Sequence, residues 1–300
     1  MAYELIHDNC FNWLEQQPEN SFHAVVTDPP YGVVEFTKKE ITKLRDGKGG
    51  IWRIPPEIGG SKRRPLPRFT VLSEAERQLV EDFFHDWATT LMRPLVPGAH
   101  VLVATNVLLS ARVQSGVERA GFEFRGQILR LYRGMRGGDR PKLAEKAYPD
   151  VAVSLRGAHE PWLLFRKPLE SGLRVSQNLE KWGTGGLRRT SRDQPFPDVI
   201  QSERTPKLER DIADHPTLKP QSLMRPLVRL LLPLGEGRVL DPFMGAGSTI
   251  AAAENVGYDS TGVEIDRTFY TLAHQAVPRL AVIGERVFQA EAPESVPLFT

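Results

Sequence analysis

Cysteine is nearly missing from the chain, with one in 300 residues, Cys10. A single thiol excludes an internal disulfide framework and any cysteine-rich zinc site, and it suits a reducing compartment. Nothing near Cys10 in sequence would lower its pKa, so it reads as a small, half-buried residue beside a strand end rather than a reactive thiol. Long apolar runs are missing too. No stretch approaches the roughly 20 consecutive apolar residues of a membrane span. The opening MAYELIHDNC has neither the basic nor the apolar region of a secretory signal. A cytoplasmic protein without a membrane segment is therefore expected. The seven histidines and lone cysteine show no metal-ligand spacing, so no metal is expected either.

Hydrophobic residues make up 40% of the chain and charged residues 25%. That suffices for one large α/β core, or one core with a smaller appended module, and suits a folded enzyme. The net charge of +2 conceals an uneven division. Residues 32–68 hold ten Lys/Arg against four Asp/Glu, residues 125–146 seven against two, and residues 166–210 ten against six. An acidic body thus presents basic loops, as a protein that meets a polyanion at defined surfaces would. Ordinary solvated charge is the alternative for any single segment.

Short apolar strands are predicted at Tyr3–Ile6 and Phe22–Val26, with a helix over Cys10–Gln16 between them. The second strand runs into Asp28-Pro29-Pro30-Tyr31-Gly32, where two prolines and a glycine forbid further ladder pairing. Asp28 should therefore stand just past a strand's carboxyl end, where open α/β sheets bind ligands. Residues 33–72 lack sustained periodicity and read as a long functional loop. Ser73 and Glu76 form a capping box for a helix whose core face should carry Leu79, Val80, Phe83, Phe84 and Trp87. Pro97-Gly98 reads as a turn into the strand His100–Ala104, followed by a helix over Ser110–Arg119 and strands near 127–132 and 162–165. From residue 166 to about 214 the pattern dissolves, with Trp182, Leu187 and Phe196 as scattered anchors, and this is the candidate appended module. Helical periodicity returns at Leu223, Leu227, Val228, Leu230 and Leu231. A strand over Arg238–Leu240, a helix over Thr249–Val256 and a strand over Ser260–Val263 complete the pattern.

Two motifs carry chemistry. Strand, glycine loop, helix and strand from Val239 to Glu264 form an arrangement that holds an adenosine-containing ligand. Gly245 and Gly247 let backbone approach the ligand, and Glu264 can bond two ribose hydroxyls. Nicotinamide and flavin enzymes share that geometry, although the loop lacks the full three-glycine dinucleotide fingerprint. In Asp28-Pro29-Pro30-Tyr31 the carboxylate is a pure acceptor, and the first proline offers a carbonyl without an N–H. Two acceptors converging on one NH₂ group would draw its nitrogen toward sp³ and shield growing positive charge, while Tyr31 offers a face for a base to stack on. The bland alternative is a strand-ending turn with a surface aspartate.

With these residues the chain resembles the β-class, circularly permuted amino-methyltransferases of DNA, in which Asp-Pro-Pro-Tyr comes first, a target-recognition region second and the loop Asp-Pro-Phe-x-Gly-x-Gly-Ser/Thr last. Here that loop is Asp241-Pro242-Phe243-Met244-Gly245-Ala246-Gly247-Ser248. The resemblance covers residues 1 to about 270. It implies a Rossmann-like class I fold: a permuted, mostly parallel sheet with helices on both faces and an inserted recognition region. It also implies S-adenosylmethionine as cofactor and double-stranded DNA as partner. The division would be 1–165 for the catalytic half with its insertion at 33–72, 166–214 for target recognition, and 215–300 for the cofactor half. Asp8, Asn9 and Cys10 are similar to the family's short segment that meets the cofactor's adenine, with His7 replacing its customary glycine. The segment His215-Pro216-Thr217-Leu218-Lys219-Pro220 resembles the one that touches the methionine end, with Lys219 as cation and Thr217 as hydroxyl donor. A carboxylate at position 28 points to adenine N6, since the family's cytosine-N4 enzymes more often carry serine there. An RNA or protein amine methyltransferase and a catalytically silent DNA-binding protein are the rival classes. Lys181, Arg188, Arg189 and Arg192 are the expected DNA contacts, with Lys38 and Lys39 in a secondary clamp. The family also suggests a homodimer and a cognate restriction endonuclease.

Overall fold

A computed structural model describes residues 2–30, 74–132, 141, 143–215 and 217–284, together with the backbone of a short hairpin at 57–58 and 61–62. The elements are β1 (Tyr3–His7), α1 (Cys10–Glu15), β2 (Phe22–Thr27), β3 (Glu57–Ile58), β4 (Ser61–Lys62), α2 (Glu74–Met92), β5 (Leu95–Ala104), α3 (Ser110–Arg119) and β6 (Glu123–Leu131). They continue as β7 (His159–Arg166), α4 (Val175–Trp182), β8 (Val199–Gln201), α5 (Lys207–Ile212), α6 (Gln221–Leu231), β9 (Arg238–Asp241), α7 (Ser248–Val256), β10 (Asp259–Glu264) and α8 (Arg267–Ala281). Eight strands form one sheet in the order β1-β10-β9-β2-β5-β7-β6-β8. The last two strands of the chain thus fill the space between its first two, which is the permuted order. Within this sheet only β7 runs against its neighbours.

The central strands are apolar on both faces because both are covered by helices. Val25, Val101 and Val103 point to α1, α2 and α3, where they meet Leu14, Phe84, Trp87, Leu91 and Val117. Their alternates Ala24, Val26 and Leu102 point to α6 and α7, against Leu223, Leu227, Leu231 and Ala252. A third cluster packs Ala273, Ala276 and Val277 of α8 on Ile250 and Ala251 of α7. Each large side chain so buried stabilises the fold by about 1.5–3 kcal/mol.

Three expectations need correction. Leu79 is 52% exposed, because the buried stripe of α2 runs through Val80, Phe84, Trp87 and Leu91, and Leu79 lies about a hundred degrees off it. Pro97-Gly98 does not turn the chain before a strand but lies inside β5. Gly98 has φ +81° there and its N–H donates to the carbonyls of Lys167 and Pro168, so the strand bulges and continues. Residues 166–214 are also not patternless. They hold α4, whose fully buried Asn178 donates to the carbonyls of Pro97 and Thr184 at 3.0 and 2.9 Å. They also hold β8, which joins the main sheet beside β6, and α5. The Ser73 cap lies outside the described residues.

Candidate active site

β2 and β9 are neighbours at the point where the sheet's winding reverses, and such a switch point opens a crevice at the strands' carboxyl ends. Thr27, the last residue of β2, donates its hydroxyl to Asp241 Oδ1, at the end of β9, at 2.7 Å across 214 residues of sequence. The Phe243 N–H donates to the same oxygen at 3.2 Å. Burial pushes the Asp241 carboxyl up to about 7, and the charge of Asp28 adds to that rise.

The glycine loop leaves β9 here. Gly245 and Gly247 both take left-handed backbone, with φ of +52° and +83°, but for different surroundings. A Cβ on Gly245 would stand 3.0 Å from His215 Nε2, over the cleft. A Cβ on Gly247 would stand 2.4 Å from Val277, so this glycine serves the packing of α7 on α8. The Gly245 N–H donates to Glu264 Oε2 at 2.9 Å, and the Asp266 N–H to Oε1 at 2.8 Å. Burial raises the Glu264 pKa. A carboxylate has about four acceptor positions, so Glu264 can clasp the loop and still accept from a ligand. Strand β1 lies beside β10 in register His7 with Glu264, and the Asp8 N–H donates to the Glu264 carbonyl at 3.1 Å. Asp8 Oδ1 accepts from the Asn9 N–H at 2.7 Å, and the Asn9 side chain caps α1. Cys10 follows, its thiol pushed up to about 12 by burial. The three residues expected near an adenine are thus gathered beside Glu264.

Asp28 stands at the other lip of the crevice. Its Oδ2 lies 3.0 Å from Lys219 Nζ, which also donates to Glu160 Oε1 at 2.7 Å. Glu160 Oε2 accepts from Arg130 Nη1 at 3.1 Å and from the Trp162 indole at 3.2 Å. Burial opposes both charges. Lys219 is nevertheless raised by Asp28 and Glu160, and Glu160 is held at about 2 by Lys219 and Arg130. Pro29 is buried and Pro30 exposed, while Tyr31, Lys38 and Lys39 lie outside the described residues. Asp28, Thr217, Lys219, Asp241, Phe243, Gly245 and Ser248 all line one open cleft. Pro242 is buried beside it. Two motifs from opposite ends of the chain therefore share one space.

His215, Thr249 and Glu160 were not singled out by sequence reasoning. His215 lines the cleft, packs edge-on to Phe269 at 4.3 Å, and has the Thr217 N–H 3.3 Å from its Nδ1. Thr249 lines the cleft and bonds the Asp241 carboxyl. The His215–Pro220 segment and the helix after the glycine loop pointed to the first two, whereas the stretch Glu160–Pro168 resembles the family's last core strand and gave Glu160 no role in the site. Lys181, Arg188, Arg189 and Arg192, the expected DNA contacts, do not line this cleft. Lys181 pairs with Glu170 at 2.6 Å, and Arg188 donates to the Tyr258 hydroxyl at 2.7 Å. The Arg189 carbonyl accepts from Arg229 near the end of α6. These groups lie by the amino ends of β5, β9 and β10, opposite the end that carries Asp28. Lys181 and Arg188 thus have partners within the protein, and Arg189 and Arg192 are exposed, all four outside the cleft's lining.

The chain is similar to known proteins over most of its length. The chain is 25% identical over 301 residues to the Type II methyltransferase M.HindIII of Haemophilus influenzae, covering 94% of this chain and 96% of that protein. Its fold is similar to TTHA0409 of Thermus thermophilus, solved as a complex with S-adenosyl-L-methionine. That likeness has a TM-score of 0.56 at 20% identity over 94% of this chain and 97% of that one. It is also similar to the PvuII DNA methyltransferase, described as cytosine-N4-specific, with a TM-score of 0.57 at 15% identity over 97% and 94% of the two chains. The profile of the N6/N4 DNA methylase family matches residues 22–275, a span that includes both Asp28 and the glycine loop, and the chain belongs to that family.

Proposed function

We propose that the protein transfers the methyl group of S-adenosylmethionine to the exocyclic amine of a base flipped from duplex DNA, adenine N6 in preference to cytosine N4. The observation that carries this reading is the shared cleft, in which the Asp28 carboxylate faces the glycine loop closed on Glu264. The residues fit the donor: Glu264 retains acceptor capacity for ribose hydroxyls, and the Asp8–Cys10 segment lies alongside it. When bound, S-adenosylmethionine supplies a methyl group activated on a sulfonium. Asp28 and the Pro29 carbonyl accept hydrogen bonds from the target NH₂, which localises the nitrogen lone pair for attack on the methyl carbon. As the nitrogen–carbon bond forms and the carbon–sulfur bond breaks, positive charge grows on nitrogen, and the carboxylate is worth most at that moment. The proton then lost from nitrogen leaves by way of Asp28 or water. Flipping the base costs a few kcal/mol, and Tyr31 is assigned to stack on it. The aspartate at position 28 favours adenine.

Recognition is assigned to the part of residues 166–214 on the Asp28 side. The β6–β8 register puts Gln201 beside Leu131, and Thr205 Oγ1 donates to the Leu218 carbonyl at 2.6 Å, so exposed Arg204 and Lys207 adjoin the site. Lys38 and Lys39, ten and eleven positions after Asp28, remain assigned to a secondary clamp. Cytoplasmic location, a homodimer and a cognate endonuclease complete the proposal. Asp28→Ala tests its core. Methyl transfer should fall by about 10²-fold or more, with donor affinity by calorimetry within a few fold of wild type. Equal transfer rates in the two proteins would remove Asp28 from the mechanism.

A further inference from the structure

We infer that Lys219 acts on Asp28 rather than on the methyl donor, and that Glu160 and Arg130 hold it there as positioning residues. This rests on Asp28 being the acceptor for the target amine. Asp28, Lys219, Glu160 and Arg130 form a row of alternating charges linked by contacts of 3.0, 2.7 and 3.1 Å. The row is built into the sheet. Arg130 of β6 and Glu160 of β7 are direct partners in the antiparallel register, so the two strands present the pair together. Arg130 also donates to the Glu203 carbonyl at 3.2 Å, and the Trp162 indole donates to Glu160, so the inner end is fixed by several bonds.

Lys219 is only 7% exposed and Arg130 6%. An ammonium at that depth is stable only where opposite charge compensates it, and here two carboxylates do. Two of its three N–H donors are committed to these carboxylates, so a ligand's carboxylate would have to share one ammonium with both. Its grip on Asp28 Oδ2 orients that carboxylate before any base arrives, and pre-set orientation is what makes an electrostatic site effective. Among the described residues, the charged and titratable groups facing this end of the cleft are Lys219, Glu160, Arg130, Asp241 and His215. Among the described residues, Lys219 meets Asp28 directly.

The test compares Lys219→Met, Lys219→Arg and Glu160→Gln with wild type, using tritiated S-adenosylmethionine and unmethylated plasmid DNA. Donor affinity is measured by calorimetry, and folding by thermal unfolding. Lys219→Met should lower kcat about 10²-fold with donor Kd within about threefold, and move the acid limb of the pH–rate profile upward. Lys219→Arg should recover at least about tenfold of that loss. Glu160→Gln, which keeps an acceptor for Lys219, should lower kcat about tenfold without changing donor Kd. The inference is overturned if Lys219→Met weakens donor binding while kcat at saturating donor stays at the wild-type value. A folded Glu160→Gln with wild-type kcat and pH profile would overturn it independently, even if Lys219→Met failed to fold. Absence of label in DNA with the wild-type protein would instead mark failure of the methyltransferase reading itself.

Discussion

Asp241 lies under the crevice with its carboxyl pushed up to about 7, against an ordinary 3.8. A raised value in the folded state means that folding favours the neutral acid. Its contribution to stability is then full below about 3.8 and is lost as pH rises through about 7. Asp241→Asn keeps an oxygen to accept from Thr27 but cannot ionise. Between pH 5 and 8 the stability difference should therefore move by about 2–3 kcal/mol in the variant's favour. Denaturant unfolding at both pH values measures it, and parallel stability curves for the two proteins would contradict it. Glu160 has the opposite sign: held at about 2 against 4.5, it contributes stability above the ordinary value that is lost as pH falls through about 2. Asp28, Gly245 and Glu264 were legible in the sequence because their chemistry depends on residue type next to a strand end. Glu160 and Arg130 were not, since they meet only through the register of β6 with β7, which no local pattern specifies.

Gly247 stands at the N-cap of helix α7, and the seat of that helix on α8 depends on this residue having no side chain. Gly247→Ala would bring a methyl group within 2.4 Å of Val277 and force alanine into φ +83°. We expect a loss of about 2–4 kcal/mol from overpacking and left-handed strain together. A fall in the urea midpoint would register it, and an unchanged midpoint would show that α8 can yield. Strands β2, β9 and β10 and helices α3 and α6 were legible from periodicity and from the turns that bound them. Helix α4 and strand β8 were not. The eight residues of α4 include a fully buried Asn178, whose reason for burial is the bonds it makes to Pro97, far along the chain, and to Thr184. Strand β8 has three residues, too few for an alternation to show. The basic character of this segment was visible, but the partners that absorb Lys181 and Arg188 were not.

Across the molecule, permutation leaves the sheet intact and brings the first and last thirds of the chain to one cleft. It also divides the basic groups of residues 166–214 between two ends of the sheet. Arg204→Ala with Lys207→Ala should weaken binding to duplex DNA and flatten the log–log salt dependence by about one unit for each phosphate no longer neutralised. Arg188→Ala should leave that slope unchanged and instead cost about 1–2 kcal/mol of stability through its bond to Tyr258. Fluorescence anisotropy over a salt series separates the two, and a change in slope for Arg188→Ala alone would return DNA to the opposite end. The central claim is methyl transfer to an exocyclic amine in DNA. Its most direct test is mass spectrometry of nucleosides from unmethylated DNA incubated with the purified protein and S-adenosylmethionine. The account predicts N6-methyladenine with wild type and none with Asp28→Ala; N4-methylcytosine as the sole product would contradict the choice of base, and no methylated nucleoside would contradict the activity.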